Sequence, residues 1–425
     1  MNEKLLSFLW KHQLFRKENL CTADGEIIQI ISPGLLNEDA GPDFFNGRIR
    51  LGQLELAGNI ELHVKSSDWL KHGHEQDQAY DSIILHVVYE QDTSLGLPCP
   101  ELVLKDFIDA SLLEKHRYLA ASLDEIPCAS LLEPSDAQWK FWLDRMYVER
   151  LERKAREMEK VVLFHAGHWE QSFMQVLFKS FGMRVNAVPM EMLAAQLHHE
   201  WLARECHRLE ALFFGTAGLL QGKAADAYQQ ACMEEFRILQ RKYDLTALSP
   251  GIWKSHRMRP ANFPQIRLAQ LAAIYSRTPA LFQKLLSLEE LTEVRALFRV
   301  SPDPYWQDHL RFGKASRHTV GQVGWDSIEL ILLNAVLPFL FLYADRNHLP
   351  DVQEKALDWA AELKPENNKI IRKYKDLGLK PESAMETQGL LQLYHHYCLN
   401  KRCLDCAMGL RMLKLAKQDE PFQPS

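Results

Sequence analysis

The sequence opens without the long apolar run and small-residue cleavage site of a secretory leader. MNEKLLSFLWKHQ is interrupted by Lys11 and His12, so a cytoplasmic setting is the expectation. A clean membrane span is missing too. The one extended apolar segment, IELILLNAVLPFLFLYA at 328–344, carries Glu329, Asn334 and Pro338 and falls just short of such a run. A buried core helix kinked at Pro338 is expected there, and no membrane partner. Excess positive charge is absent: the net charge is −6, which gives no global attraction to phosphate polymers, so any nucleic-acid contact would rest on local basic patches. Of the eight cysteines, Cys21, Cys99, Cys128, Cys206 and Cys232 are scattered and three cluster near the end, unlike the disulfide framework of a small secreted domain. No repeat of 20 to 50 residues and no low-complexity tract is present.

What the chain does have is 425 residues, 47% of them apolar, enough for one or two buried cores. Residues 26–105 alternate as strands do: EIIQIIS, then GRIRL and LELAGNIELHV on either side of a turn at Gly52, then SIILHVVYE and the shorter ELVL. Helical periodicity follows. From Ser135 the stretch DAQWKFWLDRMYVERLERKAREMEKVV predicts one long amphipathic helix. Further helices are predicted near 169–181, 186–213, 225–243, 265–276, 280–298, 326–345, 350–363 and 382–416. The fold class is therefore α+β: a small N-terminal α/β sheet domain over 1–130 followed by a larger all-helical domain over 131–425, joined through the turn-rich IPCASLLEPSD.

The densest chemistry lies in residues 41–88. In NIELHVK the period of two puts Glu61, His63 and Lys65 on one face of a strand and Ile60, Leu62 and Val64 on the other. The apolar set should be buried, and the polar set should form a line at an accessible side or in a cleft. Asp43 precedes the previous strand, and the hairpin through Gly52 could return it to Glu61. Two converging carboxylates suit magnesium or manganese, with His63 or Lys65 orienting or deprotonating a water. In the competing structural reading Asp43 caps a turn, Glu61 and Lys65 form an ion pair, and His63 is a satisfied polar residue. A further possibility is a zinc or manganese centre built on His72 and His74 with Asp77, His63 and His86 nearby, as in a histidine-based metallohydrolase of a small molecule. Ser66, Ser67 and Asp68 offer an N-cap for a short helix whose Trp69 would pack on the sheet.

Near the C-terminus, YHHYCLNKRCLDC spaces Cys398, Cys403 and Cys406 as C-x4-C-x2-C, with His395 just upstream. Such a set could close a tetrahedral zinc site, and simple burial of three thiols is weighed equally with it. RPANFPQIRLAQLA sets Arg259, Asn262, Arg267 and Gln270 at a helix start, where they could bind an anion or lock neighbouring helices by satisfying loop carbonyls.

An acid ahead of one strand and an acid-x-base on the next, Pro42-Asp43 with Glu61-x-His63, resembles the PD-(D/E)XK nuclease core, with histidine in the lysine position and Lys65 two residues on. That resemblance implies metal-dependent phosphodiester cleavage of nucleic acid. It also brings to mind an iron–sulfur cluster closed by one distant cysteine, for which Cys21 is the candidate. Across the chain, GPDF, NIELHVKSSDW with HGH, ILHVV, EALFFGTAGLL, RPANFP and the closing RCLDCAMG resemble a bacterial family called domain of unknown function 2851. The family implies a two-part architecture and no particular activity. A non-enzymatic alternative keeps the nuclease-like sheet as a degenerate scaffold, with the helical domain binding a protein partner.

Overall fold

The computed structural model describes residues 1–73, 77–131, 137–316 and 321–414. Helix α1 (Glu3–Lys11) begins at Asn2, whose side chain accepts the Leu5 N–H, and buries Leu5, Leu6, Phe8, Leu9 and Trp10. Six strands follow: β1 (Ile28–Ser32), β2 (Leu35–Leu36), β3 (Phe44–Leu51), β4 (Leu54–Lys65), β5 (Ile83–Glu90) and β6 (Glu101–Val103). They make one mixed sheet in the order β1-β3-β4-β5-β6, with β2 paired to β3. Pairing is antiparallel from β1 to β4, as a two-residue turn at Gly52 requires, and parallel from β4 to β6. The parallel crossover between β4 and β5 contains the short helix α2 (Asp68–His72). The strand ranges follow the alternation in the sequence closely, and the α+β class holds.

After α3 (Ala110–Ala121) and α4 (Ala137–Phe164) the chain is almost entirely helical. Two compact units result, Met1–Trp142 with Leu393–Ser425 and Leu143–Gln392, and the division falls inside α4. The C-terminal cysteine segment therefore belongs to the sheet-bearing unit, whereas the sequence-drawn boundary grouped it with the helices. Its apolar residues explain the assignment. Met408, Met412 and Leu413 are buried, the helix Ala407–Lys414 packs on α3, and the Tyr394 hydroxyl donates to Glu125.

In the helical unit, Trp169 and Phe282 each meet Phe339 and Tyr343 edge to face, and Phe173 lies tilted against Phe282 and Phe339, all at centroid separations of 5.0–5.8 Å. Periods predicted over 186–213 and 280–298 are broken into shorter helices, Ala187–Ala195, His199–Arg204 and Leu209–Thr216 in the first and Leu281–Leu286 and Leu291–Phe298 in the second. The break before His199 is held by Gln171, which donates to Leu197 O and accepts the His199 N–H. Trp325–Asn347 is continuous, and by length and composition it does reach what a membrane crossing needs; 72% of its apolar window is buried inside the protein. A π-turn at Leu332–Val336 precedes Pro338 and absorbs its missing N–H, and both polar residues of the apolar run are satisfied. Glu329 pairs with Arg295 at 3.1 Å, and Asn334 accepts from Lys154 at 2.8 Å. The RPANFP turn is an internal lock. Arg267, 2% exposed, donates to Asn262, Ser327 and Gln270, and Gln270 donates to Gly321 O.

Candidate functional site: an acid and histidine cluster on the sheet

The loop before β3 is fixed by Asn37. Its side-chain amide donates to Ala40 O and Pro42 O, and its N–H donates to Asp43 O. Asp43 is thereby delivered to the mouth of the β3–β4 hairpin. There the two acids are interlocked through the backbone: the Asp43 N–H donates to Glu61 Oε2 at 3.0 Å and the Leu62 N–H donates to Asp43 Oδ2 at 3.0 Å. Close approach of the strands makes this possible. The β3–β4 register shifts between Phe44 and Gly47, with Asn46 at a φ of 56°, and a Cβ at Gly47 would lie 2.3 Å from Ile60 Cδ1.

Glu61 and His63 do point to one face, but that face is not open: Glu61 is 5% and His63 1% exposed, as buried as Ile60 and Leu62 on the other side. The start of α1 and helix α2 close over it. Lys65 stays outside. It is exposed at the end of β4, its charge acts on Glu90 and Asp92, and its N–H donates to Asp68. Among the described residues neither a Glu61–Lys65 ion pair nor a contact from the Lys65 side chain into the cluster is present.

In their place is a chain of imidazoles. Glu101 Oε2 lies 3.0 Å from His86 Nδ1, His86 Nε2 lies 2.9 Å from His63 Nδ1, and His63 Nε2 lies 3.1 Å from His72 Nδ1 and 3.7 Å from Glu61 Oε1. Glu101 also accepts from Ser66 Oγ at 3.0 Å, which fixes its carboxylate. With neutral rings the direction of this chain is set at its carboxylate end. His86 donates from Nδ1 to Glu101 and accepts at Nε2 from His63 Nδ1–H, so the lone pair of His63 Nε2 faces Glu61 and His72. Trp69, on α2, walls the rings at centroid distances of 5.0 Å from His86 and 6.1 Å from His63. The predicted Ser67 cap is replaced: Ser67 donates from its N–H and hydroxyl to Asp92 instead.

Glu3, in the first turn of α1, completes the cluster. Ligand atoms of Glu3, His63 and His72 all lie within 4.8 Å of one another, with His63 buried and the other two exposed at the rim. Electrostatics match this crowding. Burial first, then the charge of Asp43, pushes the Glu61 carboxyl up to about 8, and Glu3 adds to the effect. The Asp43 carboxyl is also raised, by burial, partly offset by the Leu62 N–H.

Residues 3–369 match the sequence model of the family described as protein of unknown function (DUF2851). The chain belongs to that family. No curated protein and no solved structure matches it. The matched span takes in every strand of the mixed sheet and all of the cluster from Glu3 to Glu101, and most of the helical unit.

Asp43, Glu61, His63 and His72 are brought together, while His74 lies outside the described residues. Glu3 and Glu101 went unforeseen, because an acid in a first helical turn reads as a dipole partner and an acid opening a three-residue strand reads as surface. At the C-terminal cluster Cys398 and Cys406 are buried, Cys403 is half-buried and His395 is exposed. Cys21 lies in a bridge with Ile27.

Proposed function

We propose that the sheet cluster binds a divalent cation and that the protein is a metal-dependent, nuclease-like phosphodiesterase acting on nucleic acid. The observation that carries this reading is the convergence of Glu3, His63 and His72 within single-ion distances beside the interlocked carboxylates of Asp43 and Glu61. An acid ahead of β3 and an acid-x-histidine on β4, followed by a parallel strand, supports the comparison with the PD-(D/E)XK arrangement. Mixed carboxylate and imidazole donors favour manganese over magnesium, which prefers an all-oxygen shell. Such an ion supplies Lewis-acid activation of water and of a phosphoryl oxygen. Glu3, His63 and His72 would hold it, and Asp43 and Glu61 beside them would offset its charge. His63 would present the Nε2 lone pair, as a ligand or as the acceptor of the water proton, with Glu101 and His86 holding its ring in the required tautomer.

The test is titration of the purified protein with Mn2+ by calorimetry, together with cleavage assays on single- and double-stranded DNA and RNA in Mn2+ or Mg2+. Binding of one ion per chain and chelator-sensitive cleavage are expected. Cation binding without cleavage of any nucleic acid would remove the nuclease reading, and no binding at all would remove the metal site.

Glu101 acts through other residues and is a positioning residue. Glu101→Leu, which cannot accept from His86, is expected to weaken Mn2+ roughly tenfold to a hundredfold, the usual scale for a partner that orients a ligand. Glu101→Gln keeps an acceptor and should recover most of that affinity. Equal loss in the two variants would show that Glu101 does not orient the ring.

A further inference from the structure

The helical unit contains a cavity of about 600 Å3, a volume suited to a small ligand. It is framed by α4, by α5 (Trp169–Phe181) and α6 (Ala187–Ala195), and by the π-turn Leu332–Val336. Its wall joins apolar Met158, Val161 and Val176 to the polar side chains of Lys154, Arg184 and Asn334.

Lys154, half-buried, shares one stripe of α4 with Glu157, Met158 and Val161, so the helix period turns it into this cavity. Its Nζ donates to Asn334 Oδ1 at 2.8 Å. Asn334 is the central residue of the π-turn, and its own amide is spent on Leu330 O at 2.8 Å, which fixes the acceptor. An amide oxygen orients an amine without neutralising an ammonium. The acids nearby are engaged elsewhere, Glu157 with Arg153 at 3.0 Å and Glu191 with Lys179 at 2.9 Å. Among the described residues neither Lys154 nor Arg184 has a carboxylate partner. Burial, then the charges of Arg150 and Arg153, brings the Lys154 ammonium down from an ordinary 10.5 to about 7, so much of it is free base near neutral pH. A desolvated lysine beside other cations is a common form of nucleophilic amine.

Arg184 stands exposed on the turn between α5 and α6, and that turn is rigid. Met183 takes a φ of 51°, a Cβ on Gly182 would lie 2.3 Å from Asn186 O, and the Asn186 side chain both donates to Lys254 O and accepts its N–H. A guanidinium held at the rim of a cavity, without an acid of its own, matches a ligand carboxylate through its planar fork.

We propose that Lys154 is the nucleophile of a second site, where it forms an imine with a small oxo acid whose carboxylate is held by Arg184. The Nζ lone pair of the neutral amine attacks the carbonyl carbon. The carbonyl oxygen then leaves as water with the two Nζ hydrogens, and C=N replaces C=O without oxidant or reductant. The apolar wall receives the hydrocarbon part of the ligand.

The test uses the unaltered full-length protein, incubated near neutral pH with pyruvate and sodium cyanoborohydride, which reduces an imine to a stable secondary amine. Modified lysines are mapped by peptide mass. Lys154 should be labelled at least about tenfold faster than Lys140 and Lys160, which lie exposed on the same helix. Labelling no faster than theirs would overturn the proposal, because a lysine that only braces the π-turn has no reason to react first. Arg184→Ala should slow the labelling of Lys154 by pyruvate about tenfold and leave labelling by propanal, which has no carboxylate, unchanged. No slowing with pyruvate, or equal slowing with propanal, would remove the oxo acid as the ligand. Neither measurement involves Mn2+ or the sheet cluster.

Discussion

Asp43→Asn and Glu61→Gln are each expected to lower Mn2+-dependent phosphodiester cleavage by roughly a thousandfold, the scale seen when a group that stabilises developing charge or handles a proton is removed. The amide substitutions are chosen for the geometry. In Asp43→Asn the side-chain oxygen can still accept the Leu62 N–H, and in Glu61→Gln it can still accept the Asp43 N–H, so the interlock of loop and strand persists while a carboxyl able to ionise beside the cation is lost. Alanine at either position would instead leave a buried N–H without its acceptor, and a loss of activity could then reflect a loosened hairpin. Circular dichroism and thermal unfolding of both amide variants should match the parent at low pH. Lys65→Ala supplies the contrast. Exposed at the strand end, it should leave the rate close to the parent's, whereas a base at that position would make it as damaging as the two acid variants. Full activity in Glu61→Gln would dismiss the carboxylate pair as the cation site.

The parts of this arrangement legible in the sequence are those set by neighbours along the chain. Strand alternation in LELAGNIELHV placed Glu61 and His63 on one face, and the tight turn at Gly52 implied that Asp43 would return to them. What closes over that face is not local. Glu3 arrives on a helix more than fifty residues away, and nothing in EKLLSFLWK distinguishes a metal-facing glutamate from an ordinary first-turn acid. For the same reason the polar line looked accessible. Alternation tells which residues share a side; it does not tell what is packed on it. The broken helices of 186–213 show the same limit from the other direction, since Gln171 lies in a different helix from the backbone it caps at Leu197 and His199.

The second large effect is on stability and has an unusual sign. A carboxylate that is paired or well hydrogen-bonded in the native state stabilises a protein at neutral pH and is lost in acid. Glu61 runs the other way: its carboxyl is lifted from an ordinary 4.5 to about 8 by burial and by the charge of Asp43. Between those values the folded chain holds a proton that the unfolded chain has released, so folding is favoured by acid across that window and weakened as pH rises through it. The slope from this one group is at most about 1.4 kcal/mol per pH unit. Metal-free protein should therefore unfold at a lower temperature at pH 8 than at pH 5.5, and Glu61→Gln, which cannot ionise, should flatten the curve. Asp43, Glu3, His63 and His72 surround the group, so the quantity to compare is the difference between parent and variant at each pH rather than either curve alone. Identical slopes would mean that Glu61 ionises as a solvent-exposed acid does. A cation reverses the dependence, because it competes with that proton: Mn2+ affinity should rise as pH approaches 8, and adding Mn2+ to weakly buffered protein near pH 6.5 should release a proton that Glu61→Gln does not release.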